Sequence, residues 1–136
     1  MLLLDTNAVS AVMHRRPEAL DKLRAEEPWS VILCSPVAAE IQYGLARLAG
    51  GSRRRKLLDA EYKRLRKVVQ WSDWNEDAAA EYGRMKALLE QKGTRIDDMD
   101  LVIASIALTL GARIATCNRR HFSRIEGLEL DDWTVA

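Results

Sequence analysis

Three carboxylates and one amide, Asp5, Glu40, Asp100 and Asn118, stand where side chains can converge on a ligand. Asp5 closes the apolar run Met1-Leu2-Leu3-Leu4 in the string Leu4-Asp5-Thr6-Asn7. Glu40 lies in the first turns of a helix that opens Ser35-Pro36. Asp100 stands where Asp97-Asp98-Met99-Asp100 gives way to Leu101-Val102-Ile103-Ala104. A carboxylate beside hydrophobic walls is costly unless a cation or a donor compensates it. Oxygen donors around one crevice suit Mg²⁺ or Mn²⁺, hard cations that keep several of their waters. A cation held that way polarises a phosphoryl oxygen and acidifies water, the chemistry of phosphodiester or phosphate-ester hydrolysis.

Each residue also has a local reading. Asp is a favoured helix N-cap, so Asp5 can cap the helix that follows it. Glu40 can be an exposed helical residue. Asp97 reads as an N-cap and Asp100 as the third residue of its helix, where the dipole alone favours an acid. Asp98 reads as a solvated first-turn acid, and both it and Asp97 are spare acids near the site. Thr6 and Ser10 can bond to backbone near a helix start. The two histidines, His14 and His121, fall in basic segments and read as solvated, and no Ser/His/Asp or Cys/His assembly emerges. A haloacid-dehalogenase-like phosphatase needs Asp-x-Asp; here the string is Asp5-Thr6-Asn7, which disfavours an aspartyl-phosphate mechanism.

The elements that would position these residues alternate short apolar runs with helical patterns, the signature of a parallel α/β sheet. Strands are expected at Leu2–Asp5, Val31–Cys34, Lys67–Trp71, Ala112–Cys117 and Leu128–Leu130. Helices are expected from Asn7 to His14, from Pro17 to Ala25, from Pro36 (capped by Ser35) to Gly50-Gly51, from Ser52 to Arg66, from Asn75 to near Gly93, and from Asp98 to Leu110. The last of these is apolar nearly all round, so it should be buried between the sheet and other helices. Ligands of doubly wound sheets bind beyond the carboxyl ends of the strands, where Asp5, Asp100 and Asn118 should meet and Glu40 should reach them from its helix.

The length of 136 residues predicts a single domain, 1–136, with one core. Apolar residues at 48% and charged residues at 30% fit a globular chain rather than a disordered one. A net charge of +1 excludes a global electrostatic pull toward nucleic acid, so any such role falls to local patches. Cys34 and Cys117 each end an expected strand, and without a signal peptide they read as reduced core residues of a cytoplasmic protein. No apolar run reaches the ~18 residues of a membrane span.

Four strings in order, Leu4-Asp5-Thr6-Asn7-Ala8-Val9-Ser10, Glu40-Ile41-Gln42-Tyr43-Gly44, Asp100-Leu101-Val102-Ile103-Ala104 and Thr116-Cys117-Asn118-Arg119-Arg120-His121-Phe122, resemble the PIN-domain ribonucleases. More narrowly, the chain resembles a VapC-type toxin of a type II toxin–antitoxin pair over nearly its whole length. The resemblance implies a three-layer α/β/α sandwich around a mostly parallel sheet of four to five strands. It also implies an endoribonuclease dependent on Mg²⁺ or Mn²⁺, a homodimer, and neutralisation by a cognate VapB-type antitoxin. Residue by residue, Asp5, Glu40 and Asp100 match the family's metal-binding acids. Thr6, Asn7 and Ser10 match residues supporting the first acid. Asn118 stands where many PIN domains carry a fourth acid, which favours one metal or a substrate-dependent pair. Alternatives are a non-catalytic PIN-like interaction module and a PIN-type nuclease of housekeeping RNA processing.

Basic residues cluster despite the balanced total, at Arg15-Arg16, Arg53-Arg54-Arg55-Lys56 and Arg119-Arg120. Arg119 and Arg120 follow Asn118 directly, so they should rim the crevice and meet an RNA backbone. The run at Arg53 reads as a solvated helix face. Trp71 and Trp74 suit core or protein-interface use more than base stacking. The resemblance implies an antitoxin tail along a groove near the acids, with Tyr43, Leu45, Leu48 and Trp71 as candidate contacts.

Overall fold

The computed structural model describes residues 1–134; the last two residues of the expected domain lie outside the described residues. The strands are β1 (Leu2–Leu4), β2 (Val31–Cys34), β3 (Gln70–Ser72), β4 (Arg113–Thr116) and β5 (Leu130–Asp132). The helices are α1 (Thr6–Met13), α2 (Pro17–Arg24), α3 (Ser35–Ala46), α4 (Arg53–Val68), α5 (Glu76–Gln91) and α6 (Asp98–Leu110). Short 3-10 turns occupy Pro28–Ser30 and Arg119–His121.

Continuous apolar strands need cover on both faces, which parallel strands receive from their crossover helices. Every residue of β1 and β2 is buried. The five strands pair in parallel, in the order β3-β2-β1-β4-β5. The chain steps outward from β1 through β2 to β3, then returns past β1 to β4 and β5. Right-handed crossovers therefore place α1 to α4 on one face and α5 and α6 on the other. The result is the three-layer α/β/α sandwich, with all five strands parallel. The reversal falls between β1 and β4, which opens a crevice beyond their carboxyl ends. Leu4 pairs with Ala115 across that seam, and the Asp5 backbone N–H continues the ladder to the Ala115 carbonyl at 3.1 Å.

Four expected elements move. α4 runs on to Val68, so β3 starts at Gln70 rather than Lys67; Leu65 and Val69 are both buried, and their spacing of four is helical. β3 lies at the edge of the sheet, where a strand can be short. β5 begins at Leu130 rather than Leu128, because Asp131 pairs with Arg113 of β4 at 3.3 Å and Asp132 registers with Thr116. α3 starts at Ser35 and ends at Ala46, so Cys34 holds the cap position and the Ser35 hydroxyl accepts instead from the Trp74 backbone N–H at 3.1 Å. α6 buries Leu101, Ile103, Ala104, Ser105, Ile106 and Ala107, but Val102, Leu108 and Leu110 are only half-buried, so its cover is not complete. It stops at Gly111, whose φ of +66° is a left-handed cap that a residue with a Cβ adopts only under strain.

Cys34 is buried and Cys117 half-buried, and both are free thiols. Burial pushes the Cys34 thiol up to about 12, which makes it an inert core group. Among the described residues no helix is long and apolar enough to cross a membrane.

Leu4 is fully buried and sets the backbone from which Asp5 projects. Leu4→Ala is expected to cost about 2–5 kcal/mol of stability, read as a lower urea midpoint with an unchanged m-value.

Candidate active site

Asp5 leaves the end of β1 as the N-cap of α1. Its carboxylate accepts from the Ala8 backbone N–H at 2.7 Å while the side chain is buried. The capping role and the site role thus coexist in one carboxylate. Burial raises its pKa above the ordinary value; the Thr116 hydroxyl, the Ala8 and Asn7 N–H groups and nearby His121 pull the other way. Glu40 comes from the second turn of α3 and accepts a hydrogen bond from the Thr6 hydroxyl, which ties the second acid to the residue beside the first.

Asp100 comes from the first turn of α6, where Asp97 caps the helix by accepting from the Met99 and Asp100 N–H groups at 3.1 and 3.4 Å. Its carboxyl is pushed up to about 6, first by burial and then by the charges of Asp97, Glu40 and Asp5, with His121 opposing. Asp5, Glu40, Asp97 and Asp100 line one crevice of about 490 Å³ together with Thr6, Asn7, Ile96, Ile103, His121 and three arginines, Arg95, Arg120 and Arg124. Asp98 stays outside, paired with Lys86 at 3.0 Å and the Tyr82 hydroxyl at 3.2 Å, as its solvated reading anticipates.

Several expectations change here. His121 is not a bystander in a solvated basic segment: its Nδ1 stands 3.3 Å from Asp100 Oδ2. Asn118 does not line the crevice; its side-chain amide meets His121 Nε2 at 2.9 Å. Arg119 does not line the crevice and its charge acts on Asp132, which leaves Arg120 as the expected arginine on the rim. Ser10 turns toward His14, 3.4 Å from its Nδ1, and lines a separate cavity with Asn7 and Cys117. Support for Asp5 comes instead from Thr116, buried at the end of β4. Arg95 and Arg124 lay outside the sequence signal altogether. They sit far apart in the chain and are joined in space by the Arg124 guanidinium donating to the Arg95 carbonyl at 3.4 Å.

Among the described residues, no three acids, histidines or cysteines are already gathered closely enough to hold a metal ion. The donor set nevertheless suits one. All the carboxylates present hard oxygens, and their mutual repulsion raises Asp100, an excess of negative charge that a divalent cation would relieve. The walls add cationic arginines at the rim, and among the described residues none of Arg95, Arg120 and Arg124 is in an ion pair. An acidic floor under a basic rim matches a phosphodiester that meets a cation at its phosphoryl oxygens and guanidinium groups along its backbone.

A family model for the PIN domain matches residues 2–128. A curated relative, ribonuclease VapC2 of Rickettsia felis, is 31% identical over 135 residues, with 96% of each chain covered. The tRNA(fMet)-specific endonuclease VapC of Salmonella typhimurium is 28% identical over 131 residues, with the same coverage. Among solved structures, a chain of the VapBC2 complex of Rickettsia felis bound to a promoter DNA fragment superposes with a TM-score of 0.86 at 28% identity, covering 97% of this chain and 98% of that one. The acids at the strand ends, the five-stranded parallel sheet and the whole-length similarity agree: the chain belongs to the PIN-domain family and, within it, to the VapC ribonucleases.

Proposed function

We propose that this protein is a divalent-metal-dependent endoribonuclease, the toxin of a toxin–antitoxin pair, and that it uses Mg²⁺ or Mn²⁺. The observation that carries the reading is the crevice itself, with Asp5, Glu40 and Asp100 converging from β1, α3 and α6 beneath three arginines. Asp5 and Asp100 would hold the cation, with Glu40 as the third acid. A bound divalent cation supplies Lewis-acid stabilisation of the phosphoryl charge and acidifies nearby water.

The chain's own residues do the rest. The α1 N-terminus fixes the Asp5 carboxylate through Ala8, so one oxygen is oriented before any ligand arrives. Thr6 holds Glu40 turned inward. Arg95, Arg120 and Arg124 bind phosphates of the RNA and orient the strand across the acids. Arg120 lines the crevice where the expected RNA contact would fall, and Arg119 does not line it.

The antitoxin reading rests on the similarity to chains solved in toxin–antitoxin complexes. The partner is then a VapB-type antitoxin bound over the groove beside the acids, with the toxin itself a homodimer. Tyr43 is largely exposed and free to contact such a partner, and Trp71 is partly so. Leu45 is buried in the core and drops out of the candidate surface, while Leu48 is half-buried.

Asp5→Asn and Asp100→Asn are each expected to lower RNA cleavage at least 100-fold without changing the far-ultraviolet circular dichroism spectrum. EDTA should abolish cleavage by the native protein, and Mg²⁺ or Mn²⁺ should restore it. Full activity of both variants would remove the assignment. Arg95→Ala and Arg124→Ala are expected to raise KM several-fold with kcat nearly kept, and to flatten the salt dependence of RNA binding, since each removes about one phosphate contact.

A further inference from the structure

One short segment, Thr116 to His121, runs beside both Asp5 and Asp100: the register of Leu4 with Ala115 sets Thr116 next to Asp5, and His121 meets Asp100. At its first residue, the Thr116 hydroxyl oxygen accepts from the Asn118 backbone N–H at 2.9 Å. With that lone pair taken, the hydroxyl hydrogen is free to point at Asp5, the acid whose charge it favours. At its last residue, His121 Nε2 accepts from the Asn118 side-chain amide at 2.9 Å. The ring proton must then reside on Nδ1, which stands 3.3 Å from Asp100 Oδ2 and can donate to it. Asn118 joins the two arms, its backbone serving Thr116 and its amide serving His121. The adjacent Phe122 is 1% exposed and anchors the segment in the core.

We propose that Thr116, Asn118 and His121 form a bracket that sets the orientation and separation of Asp5 and Asp100, with Asn118 and His121 acting as positioning residues rather than metal ligands. The two acids come from different elements, the end of β1 and the first turn of α6, and their like charges push them apart. The end of β4 and the turn after it run beside both. Asn suits the middle position because its amide donates to the imidazole nitrogen, which fixes the tautomer that donates to Asp100. An unprotonated Asp there could not donate to that nitrogen. A neutral residue at this position is therefore part of the device.

The proposal rests on the metal-centre reading above, and one titration separates the two. Binding of Mn²⁺ is followed by electron paramagnetic resonance of the free ion, and each variant's melting temperature is measured in EDTA. The native protein should bind Mn²⁺ and Asp100→Asn should not. His121→Phe should weaken binding about 10- to 100-fold, as loss of a hydrogen-bond partner to a metal ligand does. His121→Asn, which keeps an N–H near the place of Nδ1, should recover most of that loss. Asn118→Ala should weaken binding, and Asn118→Ala combined with His121→Phe should bind no worse than His121→Phe alone, because the amide acts through the ring. Melting temperatures should stay within a few degrees of the native protein. If His121→Phe and Asn118→Ala bind Mn²⁺ like the native protein while Asp100→Asn does not, the bracket is overturned and the metal centre stands. If the native protein binds no Mn²⁺, both fall. A His121→Asn variant as weak as His121→Phe overturns the positioning role.

Discussion

Negative charge gathered at the carboxyl edge of a parallel sheet is the constraint on which this protein depends. Asp5 is buried at the end of a strand made wholly of leucines, where desolvation opposes its charge. It is kept there by the first turn of α1, whose Ala8 N–H group would otherwise lack a partner and whose dipole favours an anion. That arrangement requires β1 to end where α1 begins, with no loop between them. It also requires β4 beside β1, because the ladder bond from the Asp5 N–H to Ala115 fixes the direction in which the carboxylate leaves the sheet. The strand order, with its reversal between β1 and β4, makes room for the remaining acids to face it.

The other acids arrive by different routes, each with a local means of support. Glu40 is a helical residue held by a hydroxyl from α1, so α1 and α3 must pack together for the site to exist. Asp100 sits over an N-cap supplied by Asp97, and the cap raises Asp100 further because it is itself an acid. Asp98, two residues before Asp100, faces outward and is neutralised by Lys86 of α5. A single turn of α6 thus carries an acid directed into the crevice and one directed at solvent. The helical rotation of about 100° per residue, rather than any difference in residue type, separates their roles.

What the sequence made legible follows the range of the forces involved. Burial of leucines, the helix caps at Ser52, Asn75 and Asp97, and the left-handed stop at Gly111 are local, and the elements they delimit fall close to where the spacing puts them. The acids were legible because a carboxylate against an apolar run is unusual wherever it occurs. The edge strands were less so: β3 and β5 are each three residues long and owe their position to neighbours, not to their own composition. Among the site residues, Thr116, His121, Arg95 and Arg124 received no site role from the sequence, for a similar reason. A threonine closing a strand and a histidine in a basic stretch acquire meaning only when folding sets them against Asp5 and Asp100. Arg95 and Arg124 belong to loops with no periodicity and reach the rim because the segment between α5 and α6 lies against the turn after β4. Ser10 erred the other way: it shares a face with Thr6 but lies about 6 Å farther along α1, beside His14.

The position of Asn118 reframes the question of charge at this site. As a ligand it would be a weak substitute for a fourth carboxylate, leaving the centre one charge short. As a donor to His121 it is the better residue, since it fixes the imidazole without adding another charge beside Asp100, whose carboxyl burial and then the neighbouring acids already lift to about 6. The crevice holds four acids even without it, counting Asp97, and faces three arginines. A fifth carboxylate would deepen the repulsion and could not donate to the imidazole nitrogen. Neutrality at position 118 thus adds no charge beside Asp100 and, in the proposed bracket, leaves the imidazole free to set how that carboxyl would be presented to a hard cation.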